Sequence, residues 1–195
     1  MSKAYLETIK ALNGELFHLQ YHQERLNKAL DISSNKPHSL KDILSPPPFG
    51  LYRCRVVYDH ENISVEYIPY VKRRVERLKI IYNDEITYEK KYADRKLIDT
   101  LFTLRGECDD ILMVKSGLIR DTSIANIAFF DGDKWITPKR PLLEGTTRAR
   151  YLNEKKIIAQ DIFVDDLASF SKVALLNAMI DFDIIASENI GEIIC

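Results

Sequence analysis

The hydrophobic pattern changes period several times along this chain, and each change predicts an element boundary. Two runs rich in apolar residues, Ala4 to Ile9 and Glu15 to Gln20, flank Asn13-Gly14, the pair a two-residue hairpin turn favours. From His22 the period lengthens: Leu26, Ala29 and Leu30 fall at helical spacing, so a short helix starts there. Ser33 to Pro48 reads as loop, ending in three prolines, with room for one helical turn over Leu40 to Leu44. Leu51 to Tyr58 and Ile63 to Tyr67 then read as strands around a turn at Asp59 to Asn62, and Arg77 to Tyr82 as another strand. Leu97, Ile98, Leu101, Phe102 and Arg105 form a helical stripe with Asp94 as the expected N-cap. Beyond it, Ile111 to Lys115, Ile127 to Phe130, Trp135 to Thr137, Ile162 to Val164, Lys172 to Asn177 and Ile184 to Ile185 read as strands, interrupted by a helix over Thr146 to Lys155.

This order predicts an α+β protein divided near residue 88. Residues 1–88 form a small α/β lobe, and residues 89–195 a larger, β-rich lobe. Composition changes this picture little. With 195 residues, 46% hydrophobic and 29% charged, the chain is an ordinary globular sequence. A net charge of −1 gives no general attraction to nucleic acid or acidic membranes. Three scattered cysteines, Cys54, Cys108 and Cys195, make neither a disulfide framework nor a metal-ligand spacing, so no metal is expected. With no signal-like apolar run and no stretch of membrane-spanning length, a cytoplasmic protein is expected.

Candidate chemistry concentrates in three places. Pro141-Leu142-Leu143-Glu144-Gly145-Thr146-Thr147-Arg148 reads as a loop feeding a helix, and the unpaired N–H groups of a helix N-terminus attract anions. The same motif could be only a helix cap. Lys90 and Lys91 end an extended run, so they should face opposite sides and only one can enter a cleft. Asp121 could close a turn with Thr122 and Ser123. Arg25 could hold an anion or pair with an acid, and His22 suits packing or capping.

Taken in order, Leu6-Glu7-Thr8-Ile9-Lys10, His22-x-x-Arg25-Leu26, Lys91-x-x-Asp94-Arg95, Asp121-Thr122-Ser123-Ile124-Ala125-Asn126 and Leu143-Glu144-Gly145-Thr146-Thr147-Arg148 resemble the class IV aminotransferase superfamily, the fold-type IV enzymes of pyridoxal 5'-phosphate (PLP). The family includes branched-chain and D-amino-acid transaminases and aminodeoxychorismate lyase. The resemblance implies a small α/β lobe and a β-rich pseudo-barrel lobe, PLP as cofactor and a homodimer. It implies that Lys91 bonds covalently to the cofactor and shuttles protons, and that Arg25 clasps the phosphate. Gly145, Thr146 and Thr147 would form the phosphate turn, Leu143 would pack on the ring, and Asp121 would face its nitrogen. Asn126 would support the loop around that carboxylate. The family usually places Glu at position 121, and Asp is shorter by about 1.5 Å, so the loop must move inward or a water must bridge.

Within the family, a shortened chain fits a lyase better than a transaminase, because eliminating pyruvate from 4-amino-4-deoxychorismate makes an aromatic product and needs fewer substrate-positioning parts. The expected product is 4-aminobenzoate, a folate precursor. Arg53 and Arg55, on one face of a strand, could meet the two substrate carboxylates. The alternatives are a transaminase of the D-amino-acid or branched-chain type and, from a different class, a nucleic-acid-binding module using the basic run Lys72-Arg73-Arg74.

Overall fold

The computed structural model describes residues 3–31, 38–185 and 189–194. It has the expected mixed α+β class and divides into two compact units.

The first unit comprises residues 1–72 and 90–94. Its strands are β1 (Tyr5–Leu12), β2 (Glu15–Leu16), β3 (Leu51–Tyr58) and β4 (Ile63–Pro69), an antiparallel sheet in the order β2-β1-β3-β4. Helices α1 (Leu19–Ala29) and α2 (Leu40–Ile43) lie between β2 and β3 in sequence. Alternation along β1 sends Tyr5, Glu7, Ile9 and Ala11 to one face, and the register adds Cys54, Val56 and Tyr58 from β3 to it. Leu26, Ala29 and Leu30 pack with these residues, so α1 covers that face. The second hairpin strand is shorter than its sequence suggests, because the chain turns through His18, at φ 54°, directly into α1. The predicted turn over Leu40 to Leu44 is α2; residues 33–37 of the predicted loop lie outside the described residues.

Residues 73–89 and 95–195 make the second unit. Its elements are β5 (Leu78–Tyr82), α3 (Lys96–Phe102), β6 (Asp110–Lys115), β7 (Leu118–Thr122), β8 (Asn126–Phe130), β9 (Trp135–Pro138), α4 (Thr146–Asn153), β10 (Ile158–Gln160), β11 (Lys172–Asn177), β12 (Asp181–Ile185) and α5 (Ile190–Ile193). They form a three-stranded sheet, β5-β6-β7, and a five-stranded sheet, β10-β9-β8-β11-β12. One core joins them, from Leu78, Leu112 and Ile119 to Ile127, Phe129, Val173 and Leu175.

The units interleave in sequence, whereas a single division near residue 88 does not: β5 pairs in parallel with β6, and residues 90–94 then return to the edge of β1. Parallel pairing joins segments distant in sequence, so no local pattern announces it. Further differences concern single elements. β7 was not marked by its sequence, since Arg120, Asp121 and Thr122 are polar yet buried. Arg95, not Asp94, is the N-cap of α3. The 162–164 run contributes one bridge, Phe163 to Leu118, and passes into a 3-10 helix. No helix among the described residues is long and apolar enough to cross a membrane.

Leu26 is fully buried between α1 and the sheet. Leu26→Ala should lower unfolding free energy by about 3 kcal/mol, measured by urea denaturation; a loss under about 1 kcal/mol would show that α1 is not a core element.

Candidate active site

In the first unit the chain buries a carboxylate completely, that of Glu7. Its Oε1 accepts a hydrogen bond from Arg25 Nε at 2.8 Å, and its Oε2 accepts from Arg25 Nη2 and His22 Nδ1, each at 2.6 Å. His22 and Arg25 are three residues apart on α1, so both reach β1 from the same turn. Burial alone would raise the Glu7 carboxyl, but the Arg25 charge and the bonds from His22 and Arg25 outweigh it and hold it at about 2. Burial pulls His22 down, against the bond to Glu7, so a neutral ring donating from Nδ1 is the consistent tautomer.

Arg25 therefore pairs with an acid, and that pairing fixes the plane of its guanidinium through the Nε–Nη2 edge, with Nη1 outside these bonds. The sequence singles out Arg25 but not its holder. The available signal was a lone carboxylate among core-facing positions of a strand.

Residues 90–94 run antiparallel to the start of β1. Leu6 N–H donates to the Lys91 carbonyl at 2.8 Å, Ala93 N–H donates to Ala4 at 2.9 Å, and Tyr5 lies opposite Tyr92 with rings 5.6 Å apart. Tyr92 thus shares the face covered by α1, and Lys91, beside Leu6, takes the other. Lys90 is on the α1 side. Its Nζ donates to the Ala29 carbonyl at the end of α1 (2.9 Å) and to Asp31 (3.2 Å). The two lysines are separated by a tight turn, Tyr92 N–H donating to the Lys90 carbonyl at 2.8 Å, rather than by the extended run expected, and the contacts of Lys90 commit it to structure. At the sheet edge the charge of Lys91 also reaches His22 and opposes a second cation there.

Arg53 and Arg55 stand opposite Lys10 and Thr8, on the same face as Leu6 and Lys91. Neither side chain forms a hydrogen bond or ion pair to another described residue. Their backbone positions are about 7 Å apart.

In the second unit, Asp121 does not close the 122–125 turn. Thr122 does, its N–H donating to the Ala125 carbonyl at 2.9 Å and its Oγ1 accepting from Ala125 N–H at 3.0 Å. The Asp121 carboxylate instead accepts from Asn126 Nδ2 (2.7 Å) and from the Leu143 N–H (2.9 Å), so the Leu143 loop is drawn directly onto it. Burial raises its pKa to about 6, against the opposing bonds from Leu143 and Asn126 and the charge of Arg148.

Asn126 Nδ2 also donates to the Leu143 carbonyl at 2.8 Å. Two residues on, Gly145 is the N-cap of α4 in extended conformation, and no side chain caps this helix. Glycine is required there by contact: a Cβ would lie 2.0 Å from Asn126 Oδ1. Thr146, Thr147 and Arg148 fill the first turn and are buried, and Arg148 Nη2 donates to the Pro138 carbonyl at 2.8 Å. An uncapped N-terminus with buried first-turn N–H groups is a site for an anion. So the first unit gathers Lys91, Arg53 and Arg55 on one sheet face with Arg25 held by Glu7, and the second gathers Asp121, Leu143, Gly145, Thr146 and Thr147 around Asn126.

The Glu7 network carries a pH signature. A carboxyl held at about 2 when folded and near 4.5 when unfolded contributes stability that is present above pH 4.5 and lost as pH falls through 2. Glu7→Gln should remove on the order of 3 kcal/mol at pH 7 and flatten the loss of stability below pH 4.5. Urea unfolding at a series of pH values measures both; an unchanged acid limb would show that Glu7 is not held ionised.

A sequence profile of the amino-transferase class IV family matches residues 90–187. An uncharacterized protein of Haemophilus influenzae is 37% identical over 180 residues, covering 89% of this chain and 96% of that protein. Among solved structures, one from Haemophilus somnus, provisionally described as a 4-amino-4-deoxychorismate lyase, is 36% identical, covers 92% of this chain and 97% of that one, and has a TM-score of 0.84. The branched-chain amino acid aminotransferase of Escherichia coli, 14% identical, covers 100% of this chain and 80% of its own with a TM-score of 0.71, a likeness of fold. The PLP-bound form of a hypothetical aminotransferase from Mycobacterium tuberculosis, also 14% identical, covers 96% of this chain and 83% of its own with a TM-score of 0.74, again a likeness of fold. The profile match spans half of the chain and the two relatives above one-third identity cover most of it, and the chain belongs to the class IV aminotransferase family of PLP-dependent enzymes.

Proposed function

We propose that this chain is a lyase that eliminates pyruvate from 4-amino-4-deoxychorismate to give 4-aminobenzoate, serving folate synthesis in the cytoplasm as a homodimer. The observation that carries the reading is the face of the first unit's sheet: one lysine and two unpaired arginines, matched to a substrate with one amine and two carboxylates. The 36% identical Haemophilus somnus protein supports the choice of reaction. The homodimer rests on the family resemblance.

The residues fit the cofactor. The uncapped N-terminus of α4, with Gly145, Thr146 and Thr147, would take the phosphate, and Leu143 would pack on the ring; the part of Arg25 as a phosphate ligand rests on the family resemblance alone. Asp121 is a desolvated carboxylate whose donors leave its pKa at about 6, and a protonated ring nitrogen would supply the missing counter-charge. When bound, PLP supplies an electron sink conjugated to the carbon bearing the substrate amine. The chain supplies the rest. Lys91 would hold the cofactor and take the proton from the ring carbon that bears the amine; as the ring carbon–oxygen bond breaks, its electron pair leaves with the enolpyruvate oxygen, and Lys91 would return a proton to the enolpyruvate methylene carbon, leaving pyruvate and an aromatic ring. Arg53 and Arg55 orient the carboxylates, which fixes the carbon presented to Lys91. Lys90 cannot substitute, being spent on the end of α1.

Two experiments test this. Purified protein loaded with PLP should absorb in the visible, borohydride should fix the cofactor to Lys91, and Lys91→Ala should lose that adduct together with release of pyruvate and 4-aminobenzoate. Absence of product from loaded protein would reject the lyase, and conversion of the cofactor to its pyridoxamine form by an amino acid alone would mark a transaminase. Separately, Arg53→Ala and Arg55→Ala should each raise KM about tenfold or more while kcat changes little. Unchanged KM in both would remove the arginines from the site.

A further inference from the structure

We propose that Asn126 is a positioning residue that locks the carboxylate of Asp121 and the anion turn at Gly145 into one rigid piece, and that Gly145 must lack a side chain for the lock to close. The inference deepens the PLP reading given above and rests on it.

The Asn126 amide is oriented by chemistry. Its nitrogen donates to a carboxylate and a carbonyl, Asp121 Oδ1 and the Leu143 carbonyl, and both can only accept. The amide oxygen is thereby turned toward Gly145, into the space a Cβ would occupy, 2.0 Å from the ideal Cβ position. Asn126 opens β8 in register with Leu176 of β11, so its backbone is anchored in the five-stranded sheet. From that anchor one buried side chain touches three segments: β7 at Asp121, the loop at Leu143 and the start of α4 at Gly145. Leu143 closes the loop by donating its N–H to the other Asp121 oxygen.

A phosphorylated heterocycle gripped at its ring nitrogen and at its phosphate needs both grips at one fixed separation. Here that separation is set by an amide bonded at one end to the ring partner and in contact at the other with the phosphate turn. Displacing Asn126 releases both grips together, which neither Asp121 nor Thr147 could do alone.

The test uses the full chain, stripped of cofactor, as wild type, Asn126→Ala, Asn126→Asp, Gly145→Ala and the double variant N126A/G145A. Thermal melts establish that each folds. Absorbance titration gives PLP affinity, and a pH series gives the midpoint at which the bound cofactor's absorbance changes. Asn126→Ala and Gly145→Ala should each weaken PLP binding about tenfold or more and move that midpoint. Adding Gly145→Ala to Asn126→Ala should cost no more than about twofold further, because the obstructing oxygen is gone. Asn126→Asp should bind weakly at neutral pH, because an acceptor-only carboxylate then faces Asp121 and the Leu143 carbonyl. Binding within about twofold of wild type with an unmoved midpoint overturns the proposal, as does multiplication of the two single effects in the double variant. A lowered melting temperature with unchanged affinity and midpoint also overturns it, leaving Asn126 a structural role alone. A wild-type chain that takes up no PLP sinks the functional reading, and this inference with it.

Discussion

Removing a carboxylate from water costs several kcal/mol unless donors or a counter-charge surround it, and among the described residues Glu7, Asp110 and Asp121 are buried in this way, the first and last of them at the candidate site. Glu7 in the first unit and Asp121 in the second are both buried, and each dictates what must lie around it. Glu7 requires a cation and donors, and α1 brings it the Arg25 guanidinium and the N–H of a neutral His22. Asp121 receives neutral donors, Asn126 and the Leu143 N–H, with the Arg148 charge acting on it as well. The outcome differs accordingly: the first carboxyl is driven to about 2 and the second is lifted to about 6.

That difference suits two roles. A carboxylate held firmly ionised by an arginine is a fixture, and it converts a flexible guanidinium into an oriented one. A buried carboxylate with incomplete compensation is receptive to a further cation, which is what the nitrogen of a protonated pyridine offers. The two lysines divide in the same way. Lys90 closes the end of α1, where a cation also suits the helix dipole, and Lys91 is the lysine that the proposed function uses.

Much of the candidate site was legible in the sequence because its members are set by local spacing. Alternation alone puts Arg53 with Arg55, and Gly-Thr-Thr ahead of a helical run announces an uncapped N-terminus. The turn at 121–126 was half legible: the polar run is evident, but which side chain closes it is not. Thr122 and Asp121 compete for that place, and the approach of the Leu143 loop, from 22 residues away, decides in favour of Thr122 by claiming the carboxylate.

By itself the sequence determined the α+β class and most strand and helix positions, and it offered candidates for the amine, the arginines and the anion turn. These follow from period and spacing, which are local. Only the tertiary structure decided that Glu7 holds Arg25, that β7 is a buried strand despite its charges, that β5 pairs with β6 while residues 90–94 return to β1, and that Gly145 is glycine because of Asn126. Each of these depends on what a distant segment places against a side chain or a sheet edge. Hydrogen-bond satisfaction and steric contact across such distances leave no periodic trace in the chain.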